Sequence, residues 1–198
     1  MDLQLPPLKV KLKGGKIVNI RVGVPDDAAE WVALIKAYLV NSDSIPMLPD
    51  EFEYDREAAT AHIEKYQRPN HLLLVAEYEG TLVGNIDLTQ HPRKRLSHTG
   101  RVGMGIAKGW RNQGLGFALL KTSLDWAKSQ ADLEMIWLDV YANNVKGVAL
   151  YQKLGFIEVG TTPSLFKHGD EYFDSLKMYL KLENYSPSKY AFLLPVPD

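Results

Sequence analysis

Residues 109–120, GWRNQGLGFALL, run from polar residues and glycines straight into an apolar helical pattern. Gly114 and Gly116 stand where the first helical turn should form. Each weakens that turn by roughly 0.5–1 kcal/mol relative to alanine. A bare backbone at a helix start suits anion binding. Unpaired N–H groups and the positive end of the helix dipole face one point, and no Cβ blocks a phosphate. Arg111 adds a guanidinium for a charge-assisted contact. A plain loop with a glycine helix cap fits R-x-x-G-x-G as well, so the stretch alone leaves both readings open. Other nucleotide patterns fit poorly. GMGIAKG, 103–109, spaces its glycines G-x-G-x-x-x-G inside a strand pattern, and no G-x-x-x-x-G-K-[ST] occurs.

Further reactive patterns are few. His62, His71, His91, His98 and His168 form no H-x-x-x-H or carboxylate-paired pattern, so the expectation is no metal site. No G-x-S-x-G supports serine hydrolysis. The 198 residues include no cysteine, which removes thiolate chemistry and disulfides.

The elements that must position the glycine stretch follow from periodicity. Residues 16–24 alternate as a strand, and 25–40 open with Pro25, Asp26 and Asp27 before a helical apolar pattern. A loop over 41–54 leads to a short helix over 55–67. Residues 71–90 form a hairpin turning at Glu79–Gly80, followed by a loop to 100. A strand over 101–109 carries interior glycines, which mark a bulge or a close approach. The glycine stretch then opens a helix reaching about residue 130. A strand over 134–142 precedes a helix over 143–155, with asparagine at its start and Gly155 at its end. Two more strands, 156–162 and 171–182, flank a loop. This order predicts an α/β (α+β) fold: a mostly antiparallel sheet with helices on its faces and one parallel pair within 101–142.

Lys and Arg number 23 and Asp and Glu 24, for a net charge of −1. That balance gives no sign of a nucleic-acid surface or a polybasic membrane patch. The first 15 residues lack the apolar core of a secretory signal, and no apolar run approaches the roughly 20 residues of a membrane span. The expectation is a cytoplasmic protein: one domain over 1–182, with its core at about 17–182, and a tail over 183–198.

IAKGWRNQGLGFALL, 106–120, and VYANNVKGVALYQKLGFIEVG, 140–160, together resemble the GNAT family of acetyl-CoA-dependent N-acetyltransferases. The first block matches R/Q-x-x-G-x-G/A at Arg111, Gly114 and Gly116. The second matches at Asn144, Gly147, Leu150, Tyr151, Lys153, Gly155 and Phe156. Asp174 and Met178 fit the closing strand of one branch. The resemblance implies a twisted sheet whose central parallel strands splay apart to admit the pantetheine arm of acetyl-CoA. Backbone groups of Ile106, Ala107 and Lys108 would line that arm. Arg111 and the N–H groups of Asn112, Gln113, Gly114, Leu115 and Gly116 would hold the pyrophosphate, with Asn144 and Lys153 completing the cofactor-binding set.

The implied reaction is direct attack of a primary amine on the thioester. A backbone N–H near Met104–Ile106 is the oxyanion donor, and the Tyr151 phenol protonates the leaving thiolate. Family members often use a glutamate base on the strand before the glycine stretch, and this strand has none. Glu77, Asp87 and Asp139 on neighbouring strands, and His98, read as surface or cross-strand groups. The basic loop 91–98 reads as solvated. Acceptor walls are expected from the first helix, loop 41–54 and loop 162–171, with Trp31, Tyr38, Phe52, Tyr54 and Phe166 as aromatic candidates. Candidate acceptors are a small-molecule amine or a protein amine. A homodimer is a further expectation. O-acyl or longer-chain acyl transfer and a non-catalytic acyl-CoA sensor are the alternatives.

Overall fold

Alternation along one strand explains how the layers form. In β3 (His71–Tyr78) the side chains of Leu72, Leu74 and Ala76 enter one apolar cluster, and Leu73 and Val75 enter another. Successive residues of a strand point to opposite faces, so the sheet is buried on both sides. The computed structural model describes residues 5–189. Helices α1 (Ala28–Leu39) and α2 (Arg56–Glu64) cover one face. Helices α3 (Leu115–Ser129) and α4 (Val145–Lys153) cover the other.

The remaining strands are β1 (Leu8–Lys11), β2 (Ile17–Val22), β4 (Thr81–Gln90), β5 (Thr99–Ile106), β6 (Met135–Tyr141), β7 (Ile157–His168) and β8 (Glu171–Lys181). Their order across the sheet is β1-β2-β3-β4-β5-β6-β8-β7. Every pairing is antiparallel except β5 with β6. The mixed sheet with helices on both faces agrees with the order of elements in the sequence.

Two differences bear on the site. Residues 8–11 form an edge strand that the periodicity reading left unassigned. Its turn reaches the glycine stretch, where Lys13 N–H donates to Gln113 O at 3.0 Å. The loop expected over 162–171 is mostly strand. β7 runs to His168, turns at 169–170 and returns as β8, with Phe166 opposite Phe173. A hairpin arm therefore stands beside the end of β6. In the tail, Tyr185 packs on the domain through its hydroxyl, 2.8 Å from Asp125 Oδ1. Tyr190, Phe192, Leu193 and Leu194 lie outside the described residues.

Candidate active site

The parallel pair is short. β5 and β6 align only at Thr99 with Met135, Gly100 with Ile136 and Arg101 with Trp137. Beyond Arg101, β5 keeps pairing with β4 as far as Ile106, and β6 keeps pairing with β8 as far as Tyr141. The two strands diverge into a wedge. In an antiparallel ladder each residue directs its N–H and C=O to the same side. Ala107 N–H donates to Val83 O on the β4 side. By alternation, Met104 and Ile106 turn their backbone groups into the wedge.

The glycine stretch closes the wide end. Asn112 (φ 63°) and Gly114 (φ 97°) are both left-handed, and α3 begins at Leu115 with no side-chain cap. A Cβ at Gly114 would meet nothing within 4 Å. Its requirement is backbone conformation, and its surroundings leave room for a phosphate. Gly116 differs. A Cβ there would lie 3.2 Å from both Ile106 Cδ1 and Leu150 Cδ2, so this glycine seats α3 against β5 and α4. Arg111 has structural partners. Its Nε donates to Ile106 O and its Nη1 to Asn41 O, each at 2.8 Å. Gln113 Nε2 donates to Gly109 O at 2.7 Å, bracing the loop. Lys108 lies in the 3-10 turn between β5 and this loop.

Helix α4 supplies two further residues. Asn144 Oδ1 accepts from Gly147 N–H at 3.0 Å and caps the helix. Tyr151 packs edge-on to Phe156 and reaches the wedge between β5 and β6. Burial pushes its phenol up to about 12, so it holds its proton at neutral pH. Lys153, exposed on α4, stacks over Phe117.

The wedge opens into a cleft of about 960 Å³ that crosses the sheet, with Tyr38 of α1 at one side and Tyr151 of α4 at the other. Ser44, Ile45 and Pro46 of the loop after α1, and Thr162, Leu165 and Phe166 of the β7–β8 arm, line it. Phe166 stacks on Tyr141 with ring centroids 3.7 Å apart. Trp31, Phe52 and Tyr54 instead pack together with His62. They belong to the α1–α2 core, where they pack on one another rather than lining the cleft.

Charges at the cleft form a pattern that the sequence did not reveal. Asp139 lies 3.8 Å from Arg101 and 3.4 Å from Lys177. Both cations also cover the Trp137 ring. Deeper, Asp87 of β4 sits opposite Gly103 beside the Tyr66 hydroxyl, which hydrogen-bonds to it. The sequence presents Asp139 and Asp87 as surface or cross-strand groups; both line the cleft, and Asp139 also pairs across strands with Lys177, its register partner on β8. Glu77 keeps the cross-strand role, bonded to Arg21 at 2.8 Å. His98 lies at the opposite end of the β5–β6 pair, where its carbonyl receives Glu134 N–H. Among the described residues no group of three or more His, Cys, Asp or Glu side chains is arranged to hold a metal ion.

A sheet split between two parallel strands, with an uncapped glycine turn at the wide end and a phenol beside the split, is the arrangement that the resemblance to acetyl-CoA-dependent transferases implies. Known proteins agree. The acetyltransferase (GNAT) family model matches residues 27–156, and the chain belongs to that family. An acetyltransferase of the GNAT family from Streptococcus pneumoniae superimposes with a TM-score of 0.79 at 29% identity, covering 83% of this chain and 98% of that one. A Salmonella typhimurium acetyltransferase, yncA, solved with acetyl-CoA, has the same fold: TM-score 0.76 at 19% identity, covering 85% of this chain and 96% of that one. The L-amino acid N-acetyltransferase AaaT of Escherichia coli (strain K12) is 29% identical over 111 residues, 56% of this chain and 68% of that protein.

Proposed function

We propose that this acetyltransferase acts on the primary amine of a small acceptor that also carries a carboxylate, in a ternary complex with acetyl-CoA. The acetyl donor contributes an electrophilic thioester carbonyl; the chain supplies the rest. Met104 and Ile106 offer backbone N–H groups to the wedge, and Met104 N–H is placed to hold the oxyanion of the tetrahedral state. Asn112 to Gly116 offer N–H groups and a helix N-terminus for the pyrophosphate. Tyr151, protonated at neutral pH, gives its proton to the departing thiolate. Asn144 spends Oδ1 on its own helix cap, which leaves its Nδ2 as the donor toward acetyl-CoA.

The observation that carries the acceptor class is the charge order across the cleft. Arg101 and Lys177 stand on Trp137 around one carboxylate, Asp139, leaving one excess positive charge at the rim. Asp87 lies further in. An α-amino acid presents the complementary pair, an ammonium inward and a carboxylate outward. The similarity to an L-amino acid N-acetyltransferase supports the same class.

Calorimetry with acetyl-CoA, with dephospho-coenzyme A and NADH as comparisons, tests the cofactor half. A thiol-release screen over L-amino acids, their amides, polyamines and short peptides tests the other half. The expected result is turnover of amino acids, with the amides slower. Turnover of polyamines or peptides alone overturns the acceptor class.

A further inference from the structure

An ammonium acceptor must lose a proton before it can attack, and β5 carries no carboxylate. We propose that Asp87, on the neighbouring strand β4, takes that proton and is the general base of the transfer. The proposal rests on the acetyl-transfer reading above and names a group for the step that reading leaves open.

Position comes first. Asp87 lies opposite Gly103 in the β4–β5 register, one residue from Met104, whose N–H faces the wedge. A Cβ on residue 103 would sit 2.8 Å from Asp87 Oδ2. Glycine there makes the room through which the carboxylate borders the cleft that Tyr151 also lines. Gly105, next on the same face, is filled by the Tyr38 ring: a Cβ there would collide with Tyr38 Cε1. The two glycines thus fit β5 around Asp87 and Tyr38.

Charge selects Asp87 from the other carboxylates. Asp139 is shared by two cations and Glu77 is held by Arg21. Among the described residues no basic side chain comes within ion-pair distance of Asp87. The groups facing it are Tyr38 from α1, Tyr66 from the turn after α2 and Arg101 from β5. Across the cleft stand Asp139 of β6, Lys177 of β8, Tyr151 of α4 and His91 after β4. Burial outweighs the attraction of Arg101 and the Tyr66 hydrogen bond and raises the Asp87 carboxyl to about 7. A base with that affinity is half-ionised near neutrality and accepts a proton readily.

The protons balance as follows. Asp87 carboxylate takes one proton from R–NH3+, and the nitrogen lone pair forms the N–C bond to the thioester carbon. The C–S bond then breaks, and sulfur receives the Tyr151 proton. The second proton lost by nitrogen restores Tyr151 through solvent in the cleft, and Asp87 releases its own to water. The net products are the amide, the thiol and one proton.

The test is the pH dependence of kcat/KM with the best acceptor from the amine screen, for the wild type, Asp87→Asn and Asp87→Glu. Acetyl-CoA calorimetry and thermal unfolding on each establish that the variants fold and bind. The wild-type profile is expected to rise through a midpoint near 7. Asp87→Asn should lose about 10²-fold or more in kcat with unchanged acetyl-CoA affinity. Its residual rate should climb only toward the acceptor's own pKa, and Asp87→Glu should restore an acid limb. Wild-type rate and limb in Asp87→Asn overturn the proposal. Should acetyl-CoA bind while no amine in the screen is acetylated, the acceptor reading falls separately. Carbon-13 titration of the carboxyls in the acetyl-CoA-bound protein then decides for Asp87. A midpoint near 7 that vanishes in Asp87→Asn supports it, and a midpoint near 4 rejects it.

Discussion

At the residue scale, the site trades stability for chemistry at Asp87. Its folded carboxyl titrates at about 7, above the ordinary 3.8, because burial disfavours the charge. Between those values the native chain holds a proton that the unfolded chain has lost. Stability therefore falls as pH rises from about 4 to 7, and above 7 the buried charge costs its full amount. Asp87→Asn keeps the shape and a polar partner for Tyr66 without the charge. Thermal unfolding at pH 5 and pH 8 should show the wild type losing ground to the variant at the higher pH. A constant difference in Tm between the two proteins would mean that the carboxylate is well solvated. The paired glycines divide differently: Gly114 serves a left-handed backbone turn and Gly116 a packing contact. Identical residue types two positions apart therefore answer to different physics.

At the element scale, the N-terminal hairpin braces the glycine loop. Lys13 N–H reaches Gln113 O, and the Gln113 side chain returns to Gly109 O. Gln113→Ala removes the second bond and keeps the first. A hydrogen bond of this kind is worth about 0.5–1.5 kcal/mol. If the brace pre-forms the loop, acetyl-CoA affinity should fall by about 2- to 12-fold by calorimetry, and unchanged affinity would mean that the loop holds its shape without it. Much of the element order was legible in the sequence, because period-2 and period-3.6 patterns are local. The glycine turn and the Asn144 cap were legible for the same reason. β1 escaped assignment although LKVKLK alternates, since four residues at a chain end give little periodicity. The Arg101–Asp139–Lys177 group escaped because its members meet through the register of β5, β6 and β8, which no local pattern encodes. Asp87 escaped because its place depends on a missing Cβ on the strand beside it. Arg111 was expected at the pyrophosphate. Two of its nitrogens hold backbone carbonyls of β5 and of the chain after α1, a structural role that the local pattern does not show.

At the scale of the whole molecule, the sheet is continuous at one end and divided at the other. Each half is anchored separately, β5 by β4 and β6 by β8, so the wedge is held open by ladders on both outer sides. Helices on opposite faces then gain access to one cleft: α4 brings Tyr151 from one face, while α1 and β4 bring Tyr38 and Asp87 from the other. On the proposed reading, donor and acceptor approach from different sides and meet at Met104. It also makes a specific claim about backbone protection. Met104 and Ile106 direct their amides into the wedge, whereas Ala107 and, by alternation, Gly103 and Gly105 direct theirs to β4. A donor lying along β5 as an added strand should protect the first pair and leave the second set nearly unchanged. Binding at 100 times Kd adds about 2.7 kcal/mol against any opening that releases it, or about 100-fold in local exchange. Amide hydrogen exchange with and without acetyl-CoA measures this residue by residue. Slowing confined to Met104, Ile106 and the loop 112–116 would place the donor in the wedge. Uniform slowing would indicate stabilisation without insertion. No change at Met104 and Ile106 would remove them from the binding surface, and the oxyanion role of Met104 with them.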